Sequence, residues 1–244
     1  MNLLTVENIS KSYDGEEVLE DVSIELGEGE LVSVLGVSGA GKTTLFNIIS
    51  GLTMPDKGRV FLEGEDVTGK TGRVSYMLQK DLLLPHKTIV DNVALPLILK
   101  GENKKVAGER VRGLFDKFGL VGTEDKYPSQ LSGGMRQRAA LLRTYMFSER
   151  VALLDEPFSA LDMLTKQSMH NWFLDVMEKI ELSAVFVTHD IDETIMLSDR
   201  IYIMTGKPGK ITKEIVIDSP KPRVDFNLTE EFLAYKKDIL NSLK

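Results

Sequence analysis

The sequence predicts an α/β fold in which a parallel sheet is interrupted by a helical insertion, and three observations predict it. Strand-like and helix-like segments alternate after Val151, the pattern of parallel strands joined by crossover helices. A glycine-rich loop stands between a strand and a helix near residue 40. Between those regions, from about Pro85 to Ser148, the apolar spacing is helical.

The elements follow in order. Residues 3–9, 18–26 and 30–35 read as strands. In the second, Val22, Ile24 and Leu26 alternate with Ser23 and Glu25, so one face is apolar. Asp14-Gly15 and the run GEGE at 27–30 punctuate them. A helix begins near Lys42, carries Leu45, Phe46, Ile48 and Ile49, and has Gly51 as its C-cap. Residues 60–62 and 74–78 read as further strands. The insertion holds helices near 88–99, 104–118 and 133–147, the last with Met135, Ala139, Leu142 and Met146 as an inward stripe. Beyond it come strand VALLD, a helix over 161–180, strand AVFVTH, a helix over 191–198 and strand RIYIM. The loop DSPKPRVDF then leads to a final helix whose Phe232, Tyr235, Ile239 and Leu243 share one face packed on the core.

With 244 residues, 42% hydrophobic and 27% charged, the chain has the composition of an ordinary globular protein with a sizeable core. A net charge of −7 opposes nonspecific nucleic-acid binding, which needs a basic surface to displace counterions. There are no cysteines, hence neither disulfides nor thiolate metal sites, which fits a reducing compartment. The N-terminus lacks the apolar run of a secretory signal. The most apolar stretch, LLLPHKTIVDNVALPLILK, is broken by Pro85, His86, Lys87, Asp91, Asn92 and Pro96 and is too interrupted for a membrane span. Service to a membrane would need a partner that crosses it.

Three motifs carry chemistry. GVSGAGKT, from Gly36 to Thr43, has the phosphate-loop spacing in its required context, after a strand and before a helix. Gly36, Gly39 and Gly41 let backbone N–H groups curl around a phosphate, helped by the open helix start. Lys42 can reach the β- and γ-phosphates and the Thr43 hydroxyl can ligate Mg²⁺. VALLDEP is an apolar strand ending in two carboxylates, where an open parallel sheet places its ligand chemistry. Asp155 is suited to Mg²⁺, and Glu156 to taking a proton from an attacking water. Alone, two acids before Pro157 would read as a solvated turn; beside a phosphate loop they read as catalytic. The third, LSGGM, sets Ser132 as N-cap of a helix whose start is left bare by Gly133 and Gly134, so it too can seat an anion.

Together these motifs resemble the ATP-binding subunits of ABC transporters: GVSGAGKT is similar to that family's Walker A loop, VALLDEP to its Walker B strand and LSGGM to its signature. SALD, ending at Asp162, resembles the D-loop, Gln79 in YMLQ the Q-loop glutamine, His189 in VFVTHD the switch histidine, and Tyr13 in SYDG the aromatic that stacks on adenine. Met135 stands where the commonest signature has glutamine. The resemblance implies a P-loop NTPase core with an N-terminal antiparallel β subdomain and an inserted α-helical subdomain. The chain would be one ATP-binding domain, with core 1–84 and 149–244 and helical part 85–148. Glu156, His189 and Gln79 would be catalytic, and Thr43, Asp155 and Gln79 would hold Mg²⁺. ATP would be bound by Tyr13, Gly36, Ser38, Gly39, Ala40, Gly41, Lys42, Thr43 and Thr44 of one copy and by Ser132, Gly133, Gly134 and Asp162 at the interface. In this family two copies face each other head to tail, so the second glycine motif is the partner copy's half of the site.

The resemblance further implies an ATPase at the cytoplasmic face of the membrane, driving a separate transmembrane permease that receives cargo from an extracytoplasmic solute-binding protein. LLLPHKTIVDNVALPL and MTGKPGKI resemble the nitrate, taurine and aliphatic-sulfonate importer group, which includes carriers of vitamin precursors; Lys207 stands where that group often has arginine. A DNA-repair or translation-associated ABC ATPase is the alternative. The former would need a long coiled-coil insertion and the latter ordinarily two cassettes in one chain.

Overall fold

The structure, a computed structural model, describes residues 2–148, 150–159, 163–221, 223 and 225–243, with backbone alone for Met163 and Leu164. Asp162 lies outside the described residues.

The chain opens with a hairpin of β1 (Asn2–Tyr13) and β2 (Glu16–Gly27). Its turn residues Asp14 and Gly15 have φ of 51° and 84°, the handedness that matches the twist of two antiparallel strands. Leu4, Val6, Ile9, Val22, Ile24 and Leu26 are buried on one face, while Ser23 and Glu25 point outward. After β3 (Leu31–Gly36) and α1 (Lys42–Ile49), β4 (Lys57–Leu62) pairs with β1 and a short β5 (Glu65–Asp66) follows, giving an antiparallel sheet in the order β2-β1-β4-β5. The C-cap of α1 is Ser50 and not the expected Gly51, which stands one residue beyond it with φ 77°.

The second sheet combines β3 with β6 (Ser75–Met77), β7 (Val151–Asp155), β8 (Ser183–Thr188), β9 (Arg200–Thr205) and β10 (Lys210–Val216), in the order β10-β9-β3-β8-β7-β6. The first five of these are parallel; β10 runs antiparallel to β9, so the sheet is mixed. The sequence reading missed β10 because KITKEIV buries only Ile215 and turns its charged residues to solvent at the sheet edge.

Alternating side chains of the central strands divide between two cores. Val151, Leu153, Val185 and Val187 pack toward the antiparallel sheet and α1. Ala152, Leu154, Ala184 and Phe186 pack toward α5 (Met163–Ile180) and the inserted helices α2 (Ile89–Leu99), α3 (Lys104–Arg112) and α4 (Gly133–Phe147). Six of the ten methionines gather in this second core: Met77, Met146, Met169 and Met177 are buried in it, and Met135 and Met196 pack against it. Met135 is therefore only half-buried, whereas Ala139, Leu142 and Met146 are fully inside.

α3 ends at Arg112, short of the expected 118, because Gly113 caps it; the turns that follow still carry Phe115 and Phe118 into the core. A third cluster joins α6 (Ile191–Leu197) and α7 (Glu230–Ser242) to the outer sheet face. Phe232 and Ile239 of α7 are buried there, and Tyr235 and Leu243 pack at the margin. Full burial of two such side chains contributes about 3–6 kcal/mol.

The topology fixes where chemistry can occur. Since β6, β3, β7, β8 and β9 are parallel, the segments leaving their carboxyl ends gather along one edge of the sheet.

Candidate functional site

The loop between β3 and α1 has the geometry of an anion cradle. Gly41, the N-cap of α1, has φ 92°, and a Cβ there would stand 2.6 Å from Leu19 Cδ2. Only glycine satisfies both demands. No side chain caps α1 and no acid occupies its first turn, so its leading N–H groups are free to meet a phosphate. Lys42 is 8% exposed and folds back beneath the loop, donating from Nζ to Gly36 O (2.7 Å) and Val37 O (3.0 Å). Burial lowers its pKa, while Glu156 and Asp155 oppose that shift. Ser38, Gly39 and Thr43 are exposed, Thr44 and Gly41 half-buried and Ala40 buried.

Asp155 closes β7, partly buried, with Tyr76 donating its hydroxyl to Oδ2 at 3.4 Å. Burial, then the neighbouring Glu156 charge, raises the Asp155 pKa. A desolvated carboxylate and a desolvated ammonium thus stand close enough to influence each other. Among the described residues, no three His, Cys, Asp or Glu side chains group to hold a metal. Mg²⁺ asks for less: it binds through one or two carboxylates, waters and substrate phosphates. The oxygen donors of Thr43, Asp155 and Gln79 suit that ion.

Glu156 leaves the strand at φ 45°, an unusual conformation for a residue with a Cβ. Its N–H donates to Val187 O at 3.0 Å and its carbonyl accepts from Ser159 Oγ, also at 3.0 Å, so β8 and the following turn impose the bend. The bend sets the side chain among the other residues singled out from the sequence. Gln79 Nε2 donates to Glu156 Oε2 at 3.0 Å, and His189 Nδ1 stands 3.1 Å from Oε1. Residues separated by 77 and 33 positions thereby meet on one carboxylate. Ser159 joins them, accepting from Gln79 at 3.3 Å.

Tyr13, at the end of β1, is 44% exposed with Lys11 Nζ 5.4 Å from its ring centre, and presents a face to solvent. Ser132 and Gly133 are also exposed; Ser132 Oγ accepts from Met135 N at 3.3 Å and caps α4. The bond of Ser132 is thus to its own helix, and the structure does not bring this motif to Lys42 or Glu156 by any described contact.

One layer behind lies a network that the motifs did not reveal. Lys166 of α5 bridges Asp190 (2.5 Å) and the buried Glu193 (2.9 Å), tying α5 to the segment that carries His189. His170 packs edge-on against Phe158, ring centres 4.8 Å apart, and burial lowers its pKa to about 4. Spacing offered one signal: Lys166 and His170 lie four apart, on one helix face. Tyr76 could have been sought three residues before Gln79, on the strand that leads to it. A cavity of about 1220 Å³ lies elsewhere, among Leu3, Glu28, Leu182 and Lys221, and none of the motif residues lines it.

The family described as ABC transporter matches residues 19–159. The chain belongs to the ABC transporter family. It is 45% identical over 242 residues to the formylaminopyrimidine import ATP-binding protein ThiZ of Halalkalibacterium halodurans, covering 97% of this chain and 94% of that protein. To the aliphatic sulfonates import ATP-binding protein SsuB of Bacillus cereus it is 37% identical, covering 99% and 96%. A solved ATP-binding cassette, dimeric and bound to ADP and Pi after hydrolysis, superposes with a TM-score of 0.73 at 28% identity, over 89% of this chain and all of that one. This ABC chain is accordingly an ATP-binding and ATP-hydrolysing transport subunit with the α/β fold of P-loop NTPases. No helix among its described residues is long and apolar enough to cross a membrane.

Proposed function

We propose that this ABC subunit hydrolyses Mg-ATP to drive import of a small solute through a separate transmembrane permease, to whose cytoplasmic side it binds. The observation that carries the reading is the meeting of Gln79, His189 and Glu156 on one carboxylate, beside a loop whose lysine is already folded inward. Glu156 accepts the proton of the attacking water as its oxygen bonds to the γ-phosphorus and the bond to ADP breaks. Lys42 meets the charge of the β- and γ-phosphates, and His189 holds Glu156 and the γ-phosphate in register. Thr43, Asp155 and Gln79 would hold Mg²⁺, which neutralises phosphate charge when bound. Tyr13 stacks on adenine.

Two copies pair head to tail, each offering Ser132, Gly133, Gly134 and Asp162 to the other's γ-phosphate. The chain acts as a single domain, its helical part at 85–148 passing the state of Glu156 through Gln79 to the permease. An extracytoplasmic binding protein delivers the cargo. Likeness to formylaminopyrimidine and sulfonate import proteins supports a small polar organic cargo. Nucleic acid has no place in this reading, given the acidic charge.

Replacing Lys42 by Ala tests the reading. Loss of a charged hydrogen-bond donor should weaken ATP binding about 10- to 100-fold in a labelled-nucleotide titration. Wild-type affinity would remove the loop from the site.

A further inference from the structure

Four of the five parallel strands lead into the candidate site: β6 to Gln79, β7 to Asp155, β8 to His189 and β3 to the phosphate loop. The fifth, β9, lies directly beside β3, and its carboxyl end opens into the turn 205–209. That turn is pinned to β2 and abuts the phosphate loop. Gly209 N donates to Val18 O at 2.9 Å and Glu20 N donates to Gly209 O at 3.1 Å. A Cβ on Gly209 would fall 1.9 Å from Ala40 O, so the two backbones touch.

From this fixed turn Lys207 reaches over the loop. Its Cε and Nζ lie 3.6 and 3.7 Å from where a Cβ on Gly39 would stand. The side chain is exposed and makes no hydrogen bond or ion pair among the described residues. Of the acids on the adjoining strand β2, Glu20, whose N–H meets this turn, is engaged by Lys210 at 2.7 Å. In a chain of net charge −7, an unpaired ammonium held at the rim of a phosphate cradle calls for an anion.

We propose that Lys207 is a phosphate-binding residue, a second cation for the nucleoside di- or triphosphate that occupies the loop. It rests on the phosphate-loop reading. Lys42 is buried beneath the loop and oriented by two carbonyls, whereas Lys207 is mobile about its stem and approaches from the solvent side. It therefore adds attraction for the phosphate tail, sensitive to salt because it is exposed.

The test is calorimetric titration of ADP and ATP into wild type, Lys207→Gln, Lys207→Arg and Lys42→Ala at low and high salt. Adenosine, competed against labelled ADP, serves as the ligand without phosphate. Lys207→Gln should weaken ADP and ATP about five- to tenfold at low salt, with a smaller gap at high salt. Lys207→Arg should restore binding, and adenosine should bind wild type and Lys207→Gln alike. Wild-type affinity of Lys207→Gln for both nucleotides overturns the proposal, and so does equal weakening for adenosine, which would mean a disturbed turn. Unchanged binding with lost ATP-dependent pairing would also overturn it, placing Lys207 against the partner copy. If Lys42→Ala also binds ADP normally, the phosphate-loop reading itself has failed; if Lys42→Ala is weak and Lys207→Gln normal, only the role of Lys207 has.

Discussion

The helix starts of α1 and α4 are both rich in glycine, yet the chain treats them in opposite ways. At α1 the N-cap is Gly41, no side chain satisfies the leading N–H groups, and the lysine, the two carboxylates and the histidine of the same chain converge around it. At α4 the serine N-cap already accepts one N–H, and the nearby arginines are occupied elsewhere. Arg136 pairs with Asp81 at 3.3 Å, and Arg138 lies 4.7 Å from the Trp172 ring. Neither first turn holds an acid, unlike those of α6 and α7. Both starts therefore remain favourable to an anion, but among the described residues it is α1 that has a lysine, two carboxylates and a histidine of its own chain close by. Two glycine-rich helix starts can thus share an open anion-facing geometry and still differ in kind, one surrounded by charged side chains and the other offering only backbone donors and an exposed position.

The largest effect is expected at Glu156. Replacing it by Gln keeps size and hydrogen bonding while removing the base, so phosphate release should fall about 10²- to 10⁴-fold. Nucleotide binding should persist, and sedimentation should find a dimer with ATP and a monomer with ADP. Hydrolysis at the wild-type rate would move the base elsewhere.

At the other half, Ser132→Asp is the sharper probe, because aspartate caps helices as well as serine does. It leaves α4 intact while setting a negative charge against the partner copy's γ-phosphate, worth between about 1 and 4 kcal/mol of repulsion at contact distance. Pairing driven by ATP should weaken at least about tenfold while ATP binding by the monomer stays unchanged. An undiminished ATP-dependent dimer would show that α4 does not face a phosphate.

The smallest effect concerns what stands behind the α1 half. His170 is neutral in the folded chain because burial holds its pKa at about 4, below the ordinary value near 6.5. Between those values the unfolded chain binds more protons, so stability is full above the upper one and falls as pH drops toward the lower. From about pH 7 to about pH 5 the wild type should lose roughly 2 kcal/mol relative to His170→Gln, read from denaturant midpoints. Glu193, whose pKa burial raises, works in the opposite direction and stands 3.8 Å from His170, so the same pair of profiles is measured in a Glu193→Gln background to remove it. Parallel pH profiles for the two would mean that His170 charges freely in the fold.

Much of this could be read from the sequence because the chemistry sits in contiguous motifs at strand ends. Gly36 to Thr43, Asp155, Glu156 and His189 each announce themselves by an apolar strand running into polar or glycine residues. Bringing Gln79 and His189 to Glu156 depended on strand order, which residue spacing does not contain. The network of Lys166, Asp190 and Glu193 was hidden for another reason: each residue alone looks like ordinary helix surface, and only packing reveals the burial of Glu193. The strand β10 escaped because an edge strand need not alternate strongly, and the early end of α3 because Gly113 outweighs two aromatic residues that a turn can bury equally well.

The methionines gathered between the inserted helices and α5 have a mechanical meaning. They belong to α4, β6, α5 and α6, and Met169 Sδ lies 3.5 Å from where a Cβ on Gly134 would be, so the start of α4 is seated on a thioether. Branched aliphatic side chains interlock, and sliding one such surface over another opens voids too small for water to fill. An unbranched thioether has three soft torsions and a polarisable atom that keeps contact as its neighbours shift. The joint is therefore compliant in shear while staying dry, and it lies between α4 and the strands whose ends hold Asp155 and Glu156. Its weakness is chemical: conversion of these thioethers to sulfoxides would put polar, stiffer groups into the bearing.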